Sequence, residues 1–217
     1  SSRVALVRPV LHCPCLPSRM AAEKIRIKTT HVGSLPRPPA LLPFIRGDQP
    51  PPEDFASKLA EETVGVFGRQ LEAGLDVLND GELGRRDYVT AARARLSGFG
   101  TTKSAVGAAD LEEMTEYSSK FAGRKGLLTL TKNTEVQNPA CSGDIAYTDE
   151  GLAGLQEEIA RVVEGAKAKG VALKDVFFSS PSPGTLANFF EDDYYKDHGK
   201  YLEALGRAMK REYEAIH

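Results

Sequence analysis

From Ile25 onward, apolar runs of strand length alternate with longer segments of helical period. Parallel βα units produce that order, because parallel strands need a crossover long enough to hold a helix. The first strand is expected over Ile25 to Thr30, and its helix over Glu53 to Ala73. Phe55, Leu59, Thr63, Phe67 and Leu71 recur there every four residues, Pro50 to Pro52 precede them, and Gly74 follows as a C-cap. A second strand is expected over Leu75 to Asn79. After a mixed segment carrying Tyr88 to Leu96, Leu127 to Thr131 and Glu135 to Gln137 are expected to pair as a hairpin across Lys132 to Thr134.

A third strand is expected over Pro139 to Ile145. Its helix carries Leu152, Leu155, Ile159, Val162, Val163 and Ala166 as an apolar stripe. Glu157, Glu158, Arg161, Glu164 and Lys167 cover the other face, and Gly170 ends it. A fourth strand, Asp175 to Ser180, leads into Ser180-Pro181-Ser182-Pro183-Gly184-Thr185, which is either a plain turn or a loop whose hydroxyls meet an anion or a sugar-like ligand. The last helix, Lys200 to Ile216, places Leu202, Leu205, Met209, Tyr213 and Ile216 on one side.

Four such units are half of an eight-stranded barrel, which typically needs about 250 residues. An open four-stranded parallel sheet is the other arithmetic solution, but such sheets favour short connections and these loops are long and polar. The expected fold is therefore α/β, of the (βα)8 TIM-barrel type, with about the first four units present. The chain has 217 residues, 41% hydrophobic and 27% charged, with a formal net charge of −2. That profile fits a globular domain with a core and lacks the basic footprint that nucleic acid requires. No apolar run approaches the roughly 20 residues that span a bilayer. Three cysteines, two of them near the start, make no disulfide framework, so a reducing, cytoplasmic setting is expected.

Residues 1–22 are expected to be a disordered or non-native leader, and 23–217 the barrel segment. Ser1 to Arg19 holds Arg3, Arg8 and Arg19, three prolines and no acid. Such a stretch reads either as an organelle transit segment or as a leader ahead of an initiator-like Met20-Ala21-Ala22. His12-Cys13-Pro14-Cys15 lacks the ligand spacing that wraps a tetrahedral ion.

Polar and ionisable groups collect where the expected strands end, the position at which α/β enzymes build their sites. After the first strand comes Thr30-His31-Val32-Gly33-Ser34-Leu35-Pro36-Arg37-Pro38. Gly33 lets the backbone approach a ligand and Ser34 offers a hydroxyl and an N–H, unless the segment is turn chemistry only. After the second come Asn79-Asp80-Gly81-Glu82. Asp80 and Glu82 are placed to bind an ammonium, orient a ligand or act as a base, or else they form a solvated turn. After the third come Gly143 and Asp144.

These three motifs in order, with Ser182-Pro183-Gly184-Thr185-Leu186-Ala187-Asn188 and the closing helix, resemble the cobalamin-independent methionine synthase family. The likeness is closest to single-domain homologues of its catalytic domain and runs from about Ile25 to the end. It implies a (βα)8 barrel and methyl transfer from a folate-like donor to a homocysteine-like thiol held on zinc. By that resemblance Gly33 and Ser34 hold the amino acid's carboxylate, Glu82 holds its ammonium, and Gly143 and Asp144 lie near the methyl donor. His31 stands where methionine synthases tend to carry another residue, which points to a different thiol or donor, or to a structural role. Arg37 meets either an acidic ligand or solvent.

The family's zinc ligands, His, Cys, Glu and Cys, belong to the second barrel half and begin with a His-x-Cys pair. No His-x-Cys follows Met20, and Cys141 is the last cysteine. Zinc exists to make a thiolate at neutral pH. The chain alone is therefore expected to hold no metal ligands and no catalytic residue, to use no cobalamin, and to be inactive as a methyltransferase. The alternatives are a non-catalytic half-barrel that binds a ligand or self-associates through exposed strand edges, a relative that transfers an alkyl group to or from another thiol, and a decarboxylase-like relative on the same barrel.

Overall fold

The computed structural model describes residues 27–104, 113–116 and 137–217. Helices dominate it. They are α1 (Leu42–Arg46), α2 (Phe55–Glu72), α3 (Tyr88–Ala94), α4 (Asp149–Ala168), α5 (Pro183–Phe189) and α6 (His198–Ile216). A 3-10 turn covers Leu173–Asp175, and two strands, β1 (Phe99–Ser104) and β2 (Gln137–Cys141), pair antiparallel. The expected hairpin over 127–137 lies, apart from Gln137, outside the described residues.

Three of the expected strand ends run side by side and parallel. Thr30 bridges Val77, and Leu78 bridges Val176. The Val77 N–H reaches the Thr29 carbonyl at 3.0 Å, and the Phe177 N–H reaches the Leu78 carbonyl at 2.9 Å. The spatial order is thus the first, second and fourth expected segments. The third, Pro139 to Ile145, is not a parallel neighbour of these. Its first residues, Pro139 to Cys141, pair with β1 in a register that sets Phe99 against Cys141 and Thr102 against Pro139, and Cys141 also bridges Asp192 in parallel. A proline lacks the N–H that a central strand needs, and a two-stranded ribbon tolerates it. The described residues show parallel bridges in place of regular barrel strands, and no closed barrel.

Helix ends follow local chemistry. The Thr148, Ser182 and Asp197 side chains cap α4, α5 and α6 by accepting from the N–H groups of Gly151, Thr185 and Lys200. The stripe expected on α2 is only partly right. A four-residue repeat advances about 40° per step beyond a full turn, so by Leu71 it has left the core. Leu71 is 42% exposed, while Leu59, Thr63, Val66, Phe67 and Gln70 are buried. The α2 face packs on α4 through Gly165, where an added Cβ would stand 3.2 Å from Phe67.

Two charged side chains are buried in the helix faces, one of them against expectation. Glu158, assigned to the polar side of α4, is buried, and Glu212 on α6 is wholly buried. On α6 the buried face is Tyr201, Ala204, Leu205, Ala208, Met209 and Glu212, about one residue round from the expected stripe. Tyr201, Leu205, Ala208 and Met209 join Leu155, Leu186, Phe190, Cys141 and Tyr147 in one core cluster among the described residues. No helix among the described residues is long and apolar enough to cross a membrane.

Candidate functional site

The loop after Thr30 and the turn after Asn79 lock together. The Asn79 amide donates to the His31 carbonyl at 2.6 Å, and the Leu35 N–H donates to the Gly81 carbonyl at 2.9 Å. Gly81 has φ +62, and a Cβ there would stand 2.8 Å from Leu35. Only glycine meets both conditions without displacement. Asn79 also takes the Gly81 N–H on its side-chain oxygen at 2.7 Å, and Asp80 takes the Glu82 N–H at 3.0 Å. These Asx contacts wind the chain so tightly that Glu82 itself adopts φ 55, an uncommon left-handed conformation for a side chain of this size.

That winding aims Glu82 at Ser34. The Ser34 hydroxyl donates to Glu82 Oε2 at 2.6 Å, and the Ser179 hydroxyl, from the third parallel segment, lies 3.4 Å from Oε1. Glu82 is 6% exposed and Asp80 3%. The second oxygen of Asp80, Oδ2, is buried with no hydrogen-bond partner. A carboxylate placed like this is costly unless something positive or hydrogen-bonding completes it.

The other expected residues fall in different places. His31 contributes structure, its Nε2 lying 2.8 Å from the Gly33 carbonyl, while its ring also lines a cavity of about 710 Å³ with Leu35, Arg37, Arg69 and Gln70. Gly33 has φ +93 and nothing within 4 Å of where a Cβ would stand, so a ligand's approach to that backbone is open. Arg37 is half-buried and faces backbone and hydroxyl oxygens. Its guanidinium donates to the Arg85 carbonyl at 2.6 Å and to the Ser34 hydroxyl at 3.2 Å, stapling the turn that carries Glu82.

Gly143 and Asp144 belong to a second polar cluster beyond β2. The exposed Asp144 takes a 2.6 Å hydrogen bond from the Tyr195 hydroxyl, and the Gly143 N–H donates to the Gly98 carbonyl at 3.1 Å. Gly98 has φ +90, and a Cβ there would stand 2.6 Å from the Asp144 carbonyl oxygen. Burial, and then the donation to Asp144, push the Tyr195 hydroxyl up to about 12.

Behind Glu82 lies a buried ion network that carries no recognisable sequence motif. Arg85 Nη1 donates to the Ser179 carbonyl at 2.8 Å and to its hydroxyl at 3.0 Å, and Nε meets Glu158 at 2.5 Å. Glu158 also pairs with Arg95, which reaches Glu212 at 3.1 Å. Glu212 accepts from the Tyr147 and Ser180 hydroxyls, each at 2.7 Å. Arg85 further stacks over Phe178, 4.4 Å from the ring centroid. The sequence signal was the position of Glu158, three residues after Leu155 and four before Val162, on the apolar face of its helix.

Zinc does not fit the described residues. Among them, no group of three or more His, Cys, Asp and Glu side chains is arranged to hold a metal ion. Cys141 is buried, its thiol donates to the Gly143 carbonyl at 3.3 Å, and burial pushes its pKa up. A zinc ligand needs the opposite tendency, towards thiolate.

No family model matches the chain. A methionine synthase of Sulfolobus acidocaldarius is 37% identical over 196 residues, which is 89% of this chain and 49% of the relative. The likeness is to a methionine synthase and runs along most of this chain. It spans about half the length of the methionine synthases it matches. A solved B12-independent methionine synthase from Shewanella sp. W3-18-1, in complex with selenomethionine, superposes with a TM-score of 0.58 at 17% identity. That superposition covers 87% of this chain and 48% of the other, and shows a shared methionine synthase fold.

Proposed function

We propose that the chain forms the amino-acid-holding part of a methionine-synthase-type methyltransferase, with homocysteine or a close thiol as its ligand. One observation carries this reading. Glu82 is a buried carboxylate at a strand's carboxyl end, and the Ser34 hydroxyl pins one of its oxygens at 2.6 Å. An ammonium is the complement such a group lacks, and a charge-assisted hydrogen bond between them is stronger than a neutral one. The open backbone at Gly33 is the place for the ligand's carboxylate, because the Ser34 hydroxyl is already committed to Glu82. The solved relative from Shewanella holds selenomethionine, an amino acid of the same class.

Gly143 and Asp144 are the expected folate-side residues in this reading, with Tyr195 fixing the Asp144 carboxylate. The described residues do not suit zinc, so the part read here for this chain is holding the amino acid. Calorimetric titration with homocysteine tests the reading. Saturable binding that Glu82→Gln removes supports it, and absence of binding to the parent chain overturns it.

A second reading, association with another chain, rests on strand edges. Among the described residues the segment around Thr30 has a parallel bridge on one side only, and the flanking Ile27 and Val32 are 86% and 74% exposed. An uncovered edge of this kind is a template for pairing. Sedimentation velocity distinguishes a monomer from a dimer or larger assembly.

A further inference from the structure

We infer that Ser179, held by Arg85, is a positioning residue for the Glu82 carboxylate; what Glu82 then binds rests on the amino-acid-thiol reading above. The two oxygens of Glu82 are treated differently. Oε2 is fixed by Ser34 at 2.6 Å, a short hydroxyl-to-carboxylate bond. Oε1 faces the Ser179 hydroxyl at 3.4 Å, beyond the usual span for O–H···O. The carboxylate is thus clamped at one end and loosely guided at the other. Oε1 is therefore the oxygen with capacity left for a ligand's ammonium.

Ser179 cannot choose its own orientation freely. Arg85 Nη1 donates both to its carbonyl at 2.8 Å and to its hydroxyl oxygen at 3.0 Å. With a cation occupying an oxygen lone pair, the hydroxyl proton is left to turn to Glu82 Oε1, 3.4 Å away. Arg85 is itself immobilised by Glu158 through Nε and by the ring of Phe178. The rotamer of Glu82 is in this way set from α4, through Arg85 and Ser179, and from the first strand end, through Ser34. Three parallel segments meet on one carboxylate, and Ser179 is the member that no sequence motif marks.

The full chain, labelled with carbon-13 at glutamate side-chain carboxyls, provides the test. The Glu82 resonance is assigned by its absence in Glu82→Gln. Ser179→Ala is expected to move that resonance and to weaken homocysteine binding by roughly two- to threefold, the low end of what one hydrogen bond is worth. Ser179→Thr, which keeps the hydroxyl, is expected to restore both. A Glu82 resonance in Ser179→Ala that superimposes on the parent's overturns the inference. If the parent chain binds no homocysteine, the amino-acid-thiol reading falls, while the resonance comparison still decides the role of Ser179.

Discussion

Arg85 and Glu158 meet at 2.5 Å between Nε and Oε1, with side chains 3% and 8% exposed. Taking two charges from water costs several kcal/mol each, and only good geometry with further hydrogen bonds offsets it. Here the offset comes from Arg95, Ser179 and Phe178, so the pair is one part of a larger buried unit.

Removing one partner leaves the other buried and unpaired. Glu158→Ala is expected to cost about 3–5 kcal/mol of unfolding free energy. Urea denaturation followed by circular dichroism measures it. A loss below ~1 kcal/mol contradicts the account of the network.

Gly81 tests the turn that aims Glu82. An alanine there has both a left-handed backbone and a Cβ 2.8 Å from Leu35. Strain of that kind is worth about 1–3 kcal/mol. Gly81→Ala should therefore lower the thermal midpoint and weaken homocysteine binding together. Gly154, a helical position with open space around it, is the control, and Gly154→Ala should raise stability slightly.

Alkaline pH probes the tyrosines. Burial, and then donation to Asp144, raise Tyr195 to about 12, and burial, then Glu212, raise Tyr147 further. Each hydroxyl keeps its proton longer in the folded chain than in the unfolded one. Their stabilisation is complete below the ordinary tyrosine value near ~10 and is lost as pH rises through the folded values. Stability should thus fall from about pH 10 upward. Tyr195→Phe should make that fall shallower, as read by denaturant midpoints across the pH series.

The sequence made helix positions legible because caps and apolar spacing are local properties. Gly74 and Gly170, both with positive φ, follow α2 and α4 as expected, whereas the caps Thr148 and Asp197 were not singled out. Strand order was not legible, since pairing depends on partners distant in sequence. Pro139 to Cys141 joined an antiparallel ribbon with β1, a strand that no clear alternation announced. The site was half legible. Ser34, Asp80 and Glu82 stood out as polar groups after apolar runs and do come together. Ser179, Arg85, Arg95 and Glu212 did not, because a buried ion pair reads in sequence like a solvated helix face until its neighbours are known. Gly143 and Asp144 lie in a cluster of their own with Tyr195.

The central claim is that the Ser34–Glu82 pair holds the ammonium of an amino-acid thiol. Calorimetric titration of homocysteine into the parent chain and into Glu82→Gln, at one pH and salt concentration, addresses it directly. The account predicts saturable binding to the parent and an affinity at least roughly tenfold weaker for the variant, the worth of one charge-assisted hydrogen bond. Equal affinity for the two chains would contradict it.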